Sequence, residues 1–113
     1  MGVKVAKFGG SSGADATQLR KVQAIVRGER ERCIVVVSAP GKRTREDAKI
    51  TDLLYRCHDC VGDRDAFDRA FQPVAERYRA IVRDLGLAVD SERDLTAVYD
   101  GMKSSATSDY AAS

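Results

Sequence analysis

Lys7-Phe8-Gly9-Gly10-Ser11-Ser12 sets a cation, two adjacent glycines and two hydroxyls side by side, a combination suited to holding phosphate. The glycines let an anion's oxygens come close to the main chain, and free N–H groups are available where a strand hands over to a helix. In strand alternation Lys7 shares a face with Val3 and Val5, so a charge stands at an otherwise apolar position and calls for an anionic partner. A lysine snorkelling from a sheet edge beside an ordinary glycine turn has the same local sequence, and the motif alone leaves both readings open. No Gly-x-x-x-x-Gly-Lys followed by Ser or Thr occurs in the chain, which excludes a Walker A loop.

Two further hydroxyls stand at comparable places. Ser38 ends the β-branched run Cys33 to Val37, at the exit of a second strand, so the loops after both strands can face one site. Thr51 falls in the first turn of the following helical pattern, where hydroxyl and N–H groups suit a carboxylate, and where a threonine taken singly is more often a simple capping residue. Cys57-His58-Asp59-Cys60 has the spacing of a metal or redox pair. A structural zinc needs four ligands, of which only Cys33 or His58 could be added, and redox pairs take their low pKa from a helix N-terminus, whereas this pair lies late in its helix. Reduced thiols and no bound metal are therefore expected.

The elements that must position these groups follow from periodicity. Val3 to Phe8, ended by Gly9-Gly10, and Cys33 to Val37, ended by Ser38-Ala39-Pro40-Gly41, read as strands, the second as a parallel strand buried on both faces. Between them Leu19, Val22, Ile25 and Val26 repeat at helical spacing, with Asp15 or Thr17 as N-cap. The unit is βαβ. Ile50, Leu53, Leu54, Cys57 and Val61 predict a second helix stopped by Gly62. Phe67, Ala70, Phe71, Val74, Tyr78, Ile81, Val82 and Leu85 predict a third over about 64–85, closed by Gly86 and either kinked or divided at Pro73. Ser91 with Asp94 starts a fourth, with the stripe Leu95, Val98, Tyr99 and Met102. A lone parallel pair buried on both faces belongs in a larger sheet, so further strands are expected beside these two.

Composition sets the class. The 113 residues are 43% apolar and 32% charged, with a net charge of +2, which excludes disorder and gives no field for nucleic acid or a membrane surface. Residues 1–60 carry 12 Lys and Arg against 7 Asp and Glu, and residues 61–113 carry 7 against 10; the basic first half suits an anionic ligand, though unevenly charged helix faces give the same counts. No run approaches the ~18 apolar residues of a membrane span, and no signal layout opens the chain, so a cytoplasmic location is expected. Nothing marks a boundary inside residues 1–113.

Three motifs in order carry a resemblance. Lys7-Phe8-Gly9-Gly10-Ser11-Ser12, Val35-Val36-Val37-Ser38-Ala39-Pro40-Gly41-Lys42-Arg43 and Lys49-Ile50-Thr51-Asp52-Leu53-Leu54 resemble consecutive motifs of aspartate kinases, within the amino-acid kinase superfamily. Asp109-Tyr110-Ala111-Ala112-Ser113 resembles the lead-in to a fourth, Ser-x-Gly-Glu, of which only the serine is present. The resemblance implies the amino-terminal part of an amino-acid kinase catalytic domain, a partial three-layer α/β/α fold whose βαβ unit is followed by several helices. It implies transfer of the ATP γ-phosphoryl group to the side-chain carboxylate of L-aspartate, giving 4-phospho-L-aspartate, the first step toward lysine, threonine and methionine. Lys7 would meet the transferred phosphate, Gly9, Gly10 and Ser11 would wrap the ATP phosphates, and Ser38 and Thr51 would lie on the aspartate side, with Mg²⁺ held mainly through the nucleotide. The 113 residues alone are expected to be inactive and to associate as a homo-oligomer through exposed sheet edges and helix faces. Two alternatives stand beside this: a non-catalytic module that binds nucleotide or associates with other chains, and a kinase for another small acid.

Overall fold

The computed structural model describes residues 2–104; the motif at 109–113 lies outside them. The elements run β1 (Lys4–Phe8), a 3-10 turn (Gly10–Gly13), α1 (Ala16–Arg27), β2 (Arg32–Val37), α2 (Ile50–Asp59), α3 (Arg64–Leu85) and α4 (Ser91–Ser104). This is the expected parallel βαβ unit followed by helices. Contacts group the chain into two compact units, Met1–Ile50 and Thr51–Ser113.

In the first unit β1 and β2 pair in parallel, with Ala6 opposite Val35, Lys7 opposite Val36 and Phe8 opposite Val37. The register shifts once, between Lys4 and Val5, where Cys33 is passed over. Asp15, not Thr17, caps α1: its Oδ1 accepts from the Gln18 N–H at 3.0 Å. Asp is the stronger cap, and here it meets one of the four N–H groups that a helix start leaves unpaired. Ala14, Ala16, Pro40, Gly41 and Ile50 are buried.

The expectation that β2 is covered on both faces is not met within this chain. Ile34, Val35, Val36 and Val37 are all exposed, Val37 by 63%. Two strands and one crossover helix hold too little apolar surface to cover a sheet on two faces, so a sequence written for a central strand stands open to solvent.

In the second unit α2 stops at Asp59, short of the expected Gly62. The Cys60 N–H turns back to the Cys57 carbonyl at 3.0 Å and the Asp63 N–H to the Cys60 carbonyl at 2.9 Å. Asp63 then caps α3, its Oδ1 accepting from the N–H groups of Asp65 and Ala66 at 3.1 and 3.2 Å. That cap needs an extended Asp63, and the turn leading into it takes the residues that would have continued α2. α3 ends as expected, on Gly86 in the left-handed region at φ 66° and ψ 34°, a conformation nearly free for glycine and costly for other residues.

Pro73 neither ends nor divides α3, which runs as one helix of 22 residues. Proline removes the bond its N–H would make to the Arg69 carbonyl, at a cost of about 3 kcal/mol. Both residues lie on the exposed face, where water can take the freed carbonyl. The opposite face buries Phe67, Phe71, Val74, Ala75 and Ile81, and apolar side chains buried at about 1.5–3 kcal/mol each outweigh one lost bond.

α4 lies against α3 through an aromatic cluster. Tyr99 meets Phe67 at 5.1 Å and Phe71 at 5.4 Å between ring centroids, tilted and edge-on, the arrangements aromatic quadrupoles favour. Its hydroxyl donates to Asp68, and Arg79 grips Glu92 through two bonds of 2.6 and 2.8 Å. The capping residue of α4 is Asp90, whose Oδ1 accepts from the Arg93 N–H at 3.0 Å, one position ahead of the expected Ser91. Leu95 and Met102 are buried, Tyr99 is half-buried and Val98 stays exposed.

The three cysteines are free: Cys33 exposed, Cys60 half-buried and Cys57 buried. Burial first, and the neighbouring Cys60 second, push the Cys57 thiol up to about 11. Native alkylation near pH 8 should modify Cys33 first and Cys60 next, and reach Cys57 only on unfolding. The fold favours the protonated Cys57. Its contribution to stability is therefore complete below the unfolded value of 9.0 and is lost as pH rises from there to about 11. Mass spectrometry after timed labelling checks the order; early modification of Cys57 would contradict the packing of α2.

Candidate functional site

β1 delivers Lys7 to its C-terminal end, immediately before the glycine turn. Lys7 is exposed, and its ammonium makes no ion pair or hydrogen bond with any described residue. Lys4, at the other end of the strand, is committed: its Nζ lies 3.4 Å from Glu29 and 3.6 Å from Glu31, and the ammonium holds the Glu29 carboxyl below its usual range.

The glycine turn is a tight one. Gly9 is extended at φ −75° and ψ 176°, and the Ser12 N–H returns to the Gly9 carbonyl at 3.1 Å. A side chain added at Gly9 would meet nothing within 4 Å, so the space over this residue is left open by the protein itself.

The loop after β2 is bound to that turn by main-chain contact. Ser38 donates its N–H to the Phe8 carbonyl at 3.2 Å, extending the pairing of the strands to their exits. Three residues on, the Gly41 N–H reaches the Gly10 carbonyl at 2.7 Å. A Cβ at Gly41 would stand 2.7 Å from the carbonyl carbon of Gly10 and 2.9 Å from the Ser11 nitrogen; one at Gly10 would stand 3.2 Å from the Ala39 carbonyl oxygen. Gly41 is needed for the two loops to close on each other, and a side chain at Gly10 would push the Ala39–Gly41 main chain back by a few tenths of an ångström. The Ile50 N–H donates to the Pro40 carbonyl at 3.0 Å, which anchors the start of α2 to the same loop.

Within the first unit the structure thus brings together Lys7, Gly9, Gly10, Ser11 and Ser38. The hydroxyls of Ser11 and Ser38 have no hydrogen-bond partner among the described residues. Thr51 belongs to the second unit. It is the second residue of α2, exposed, and its hydroxyl makes no capping bond. No group of three or more His, Cys, Asp or Glu able to hold a metal ion occurs among the described residues.

Sequence reading quoted Gly41 and Arg43 within the second motif but gave no role to either, nor to Asp47. Arg43 grips Asp47 with Nε at 2.7 Å and Nη2 at 3.1 Å, and the Arg43 main-chain N–H adds a third bond at 3.0 Å. The hydrogen bond to Asp47 holds the guanidinium above its ordinary value. The signal was present: Arg and Asp four residues apart, in a loop too polar to fold on apolar contacts.

No family-level sequence model matches the chain. Among curated proteins it is 42% identical over 106 residues to aspartokinase 3 of Bacillus subtilis (strain 168), covering 90% of this chain and 23% of that protein. The crystal structure of the Clostridium acetobutylicum aspartate kinase superposes on all of this chain with a TM-score of 0.92 and 43% identity. The chain belongs to the aspartate kinase family. It spans about a quarter of the length of these relatives, 26% in the Clostridium enzyme. Escherichia coli aspartokinase III, in complex with aspartate and ADP, shares the fold at a TM-score of 0.72 with 22% identity over 97% of the chain. The aspartate kinase segment therefore holds, in one unit, the glycine turn after β1 and the Ser38 loop after β2, closed on each other at Gly10 and Gly41.

Proposed function

We propose that this segment supplies the phosphate-holding turn and part of the acceptor side of an aspartate kinase that transfers the γ-phosphoryl group of ATP to the β-carboxylate of L-aspartate. What supports the reading most is the closure of the Gly41 loop on Gly10, which joins the exits of two parallel strands where α/β sheets bind ligands. Lys7, at one exit, is a cation without a partner among the described residues. Ser38, at the other, is a hydroxyl in the same condition.

The chemistry asks little of a general base. An aspartate side chain with an ordinary pKa of about 4 is already an anion at neutral pH. Its oxygen forms the new bond to the γ-phosphorus while the bond to the β-γ bridging oxygen breaks, and that oxygen leaves with the electron pair on ADP. No proton moves. The task is to bring two anions into line and to neutralise the charge that spreads over the moving phosphoryl group. Lys7 takes that charge, and the main chain at Gly9 and Gly10 with Ser11 wraps the phosphates. Ser38 and Thr51 are assigned to the acceptor. Mg²⁺ would reach this site on the nucleotide's own phosphates and supply further neutralisation there.

Thr51→Val, tested in a chimera that joins this chain to the remaining three quarters of the Clostridium enzyme, should raise the KM for aspartate about tenfold and leave that for ATP nearly unchanged. The change removes one hydroxyl from a charged acceptor, worth about 1.5 kcal/mol or more. Unchanged aspartate kinetics would remove Thr51 from the site. The chimera also tests the reading as a whole: aspartate-dependent ADP release supports it, and a folded chimera that responds to another small acid but not to aspartate refutes it.

By itself the 113-residue chain should show no aspartate-dependent turnover, because positioning accounts for much of phosphoryl-transfer catalysis and the aspartate kinases it matches are about four times as long. Val5 and the Ile34–Val37 run, exposed on a sheet of two strands, should make it self-associate in the cytoplasm or in solution. A coupled ADP assay and light scattering decide the two points; turnover at a kinase-like rate would refute the first, and a monomer across concentrations the second.

A further inference from the structure

One charged group at the glycine turn remains without a task. An open depression of about 260 Å³ is lined by Ser11, Ser12, Asp15, Gln18, Lys42 and Arg43. Lys42 follows Gly41, so its main chain is fixed on one side by the 2.7 Å bond from Gly41 to Gly10. On the other side Arg43 is tied to Asp47 through main chain and guanidinium together. Arg43's charge is thereby met. Lys42 is exposed and makes no ion pair or hydrogen bond with any described residue. Asp15 faces the same space, and its Oδ1 is engaged by the Gln18 N–H. The loop thus carries an uncommitted lysine that lines one depression with the two serines of the turn.

Resting on the phosphate reading of that turn, we infer that Lys42 is a second cationic anchor for the nucleotide's polyphosphate, reaching it from the loop after β2 as Lys7 does from β1. A polyphosphate carries several negative charges, and one lysine leaves most of them unmet. The depression includes Ser11 and Ser12 of the glycine turn and none of Lys7, Gly9, Gly10 and Ser38, so Lys42 joins the phosphate side through the two serines. The rigid main chain on both sides means that little order has to be imposed when the anion arrives.

The test titrates the Clostridium chimera with inorganic triphosphate, and separately with aspartate, following binding by calorimetry. Wild type should bind triphosphate. Lys42→Ala should weaken binding about fivefold, equivalent to about 1 kcal/mol, and Lys42→Arg should restore most of it. Asp15→Asn should tighten binding, since asparagine caps a helix as well as aspartate does and the change removes a like charge from the depression. If Lys42→Ala binds as wild type while Lys7→Ala is weakened, the inference on Lys42 is wrong and the reading of the glycine turn stands. A folded wild type that ignores triphosphate refutes the reading of the turn and the inference with it. A greater loss for aspartate than for triphosphate would overturn the assignment of Lys42 to phosphate.

Discussion

Replacing Lys7 by alanine in the Clostridium chimera should lower kcat about 10²- to 10³-fold, the cost of removing one preorganised donor from a developing anionic charge, and change the KM for aspartate little. The expectation rests on where the lysine stands and on what it does not do. It ends β1 opposite Val36, one residue before Phe8 and the glycine turn. Unlike Lys4 it meets no carboxylate among the described residues. Since it makes no bond within the described protein, its loss should leave stability within about 0.5 kcal/mol of wild type. A fall in kcat without a fall in melting temperature therefore separates a role in transfer from a role in folding. Arginine at the same position should recover only part of the rate, because a planar fork cannot take the place of a compact ammonium on a phosphoryl group in motion. Lys7→Ala with kcat near wild type would mean that the transferred phosphoryl is neutralised by something else.

The parts of the fold that were legible in the sequence are those written in local periodicity and local punctuation. β1 and β2 each lie within a residue of expectation, and α3 begins at Arg64 and ends at Gly86 as its stripe and its glycine required. Where reading failed or left two outcomes open, a contact from outside the local window had decided the outcome. Of the kink and the division expected at Pro73, the division does not occur, because the buried face from Phe67 to Ile81 carries α3 through it. The valines of β2 read as a strand buried on both faces and the strand forms, yet they stay exposed, because covering them depends on neighbours that these residues do not supply.

The site divides in the same way. Lys7, Gly9, Gly10, Ser11 and Ser38 could be named because each stands at the exit of a strand that periodicity reveals. The contact between Gly10 and Gly41 could not, since two glycines 31 positions apart meet only after the strands have paired. Arg43 and Asp47 show the intermediate case. Their spacing was visible, but in a loop without periodicity nothing in it said that the pair would hold the residue next to Lys42 in place.

Alanine at Gly41 and alanine at Gly9 should have opposite effects on stability, and both should impair phosphate binding. At Gly41 the new methyl would lie 2.7 Å from the Gly10 carbonyl carbon, 2.9 Å from its oxygen and 2.9 Å from the Ser11 nitrogen. All three are main-chain atoms, so no side-chain rotation relieves the overlap, and the two loops have to part. Overpacking of this kind costs about 1–3 kcal/mol, a fall in melting temperature of about 4–8 °C for each kcal/mol in a unit of this size. At Gly9 the added methyl meets nothing, and φ −75° with ψ 176° suits any residue. The unfolded chain loses freedom while the folded one loses no contact, so Gly9→Ala should raise stability by about 0.4–1 kcal/mol. Yet glycine stands where the protein does not require it, and the atom that needs the space is then the ligand's. Gly9→Ala should weaken triphosphate binding about tenfold by standing in the approach to the main chain, as should Gly41→Ala by opening the turn. Thermal melts paired with triphosphate titrations of the two variants separate the causes. If Gly41→Ala melts with wild type, the closure of the loops is not what holds the turn. If Gly9→Ala binds triphosphate as wild type does, the phosphates do not pass over Gly9, and the open space there belongs to another part of the substrate.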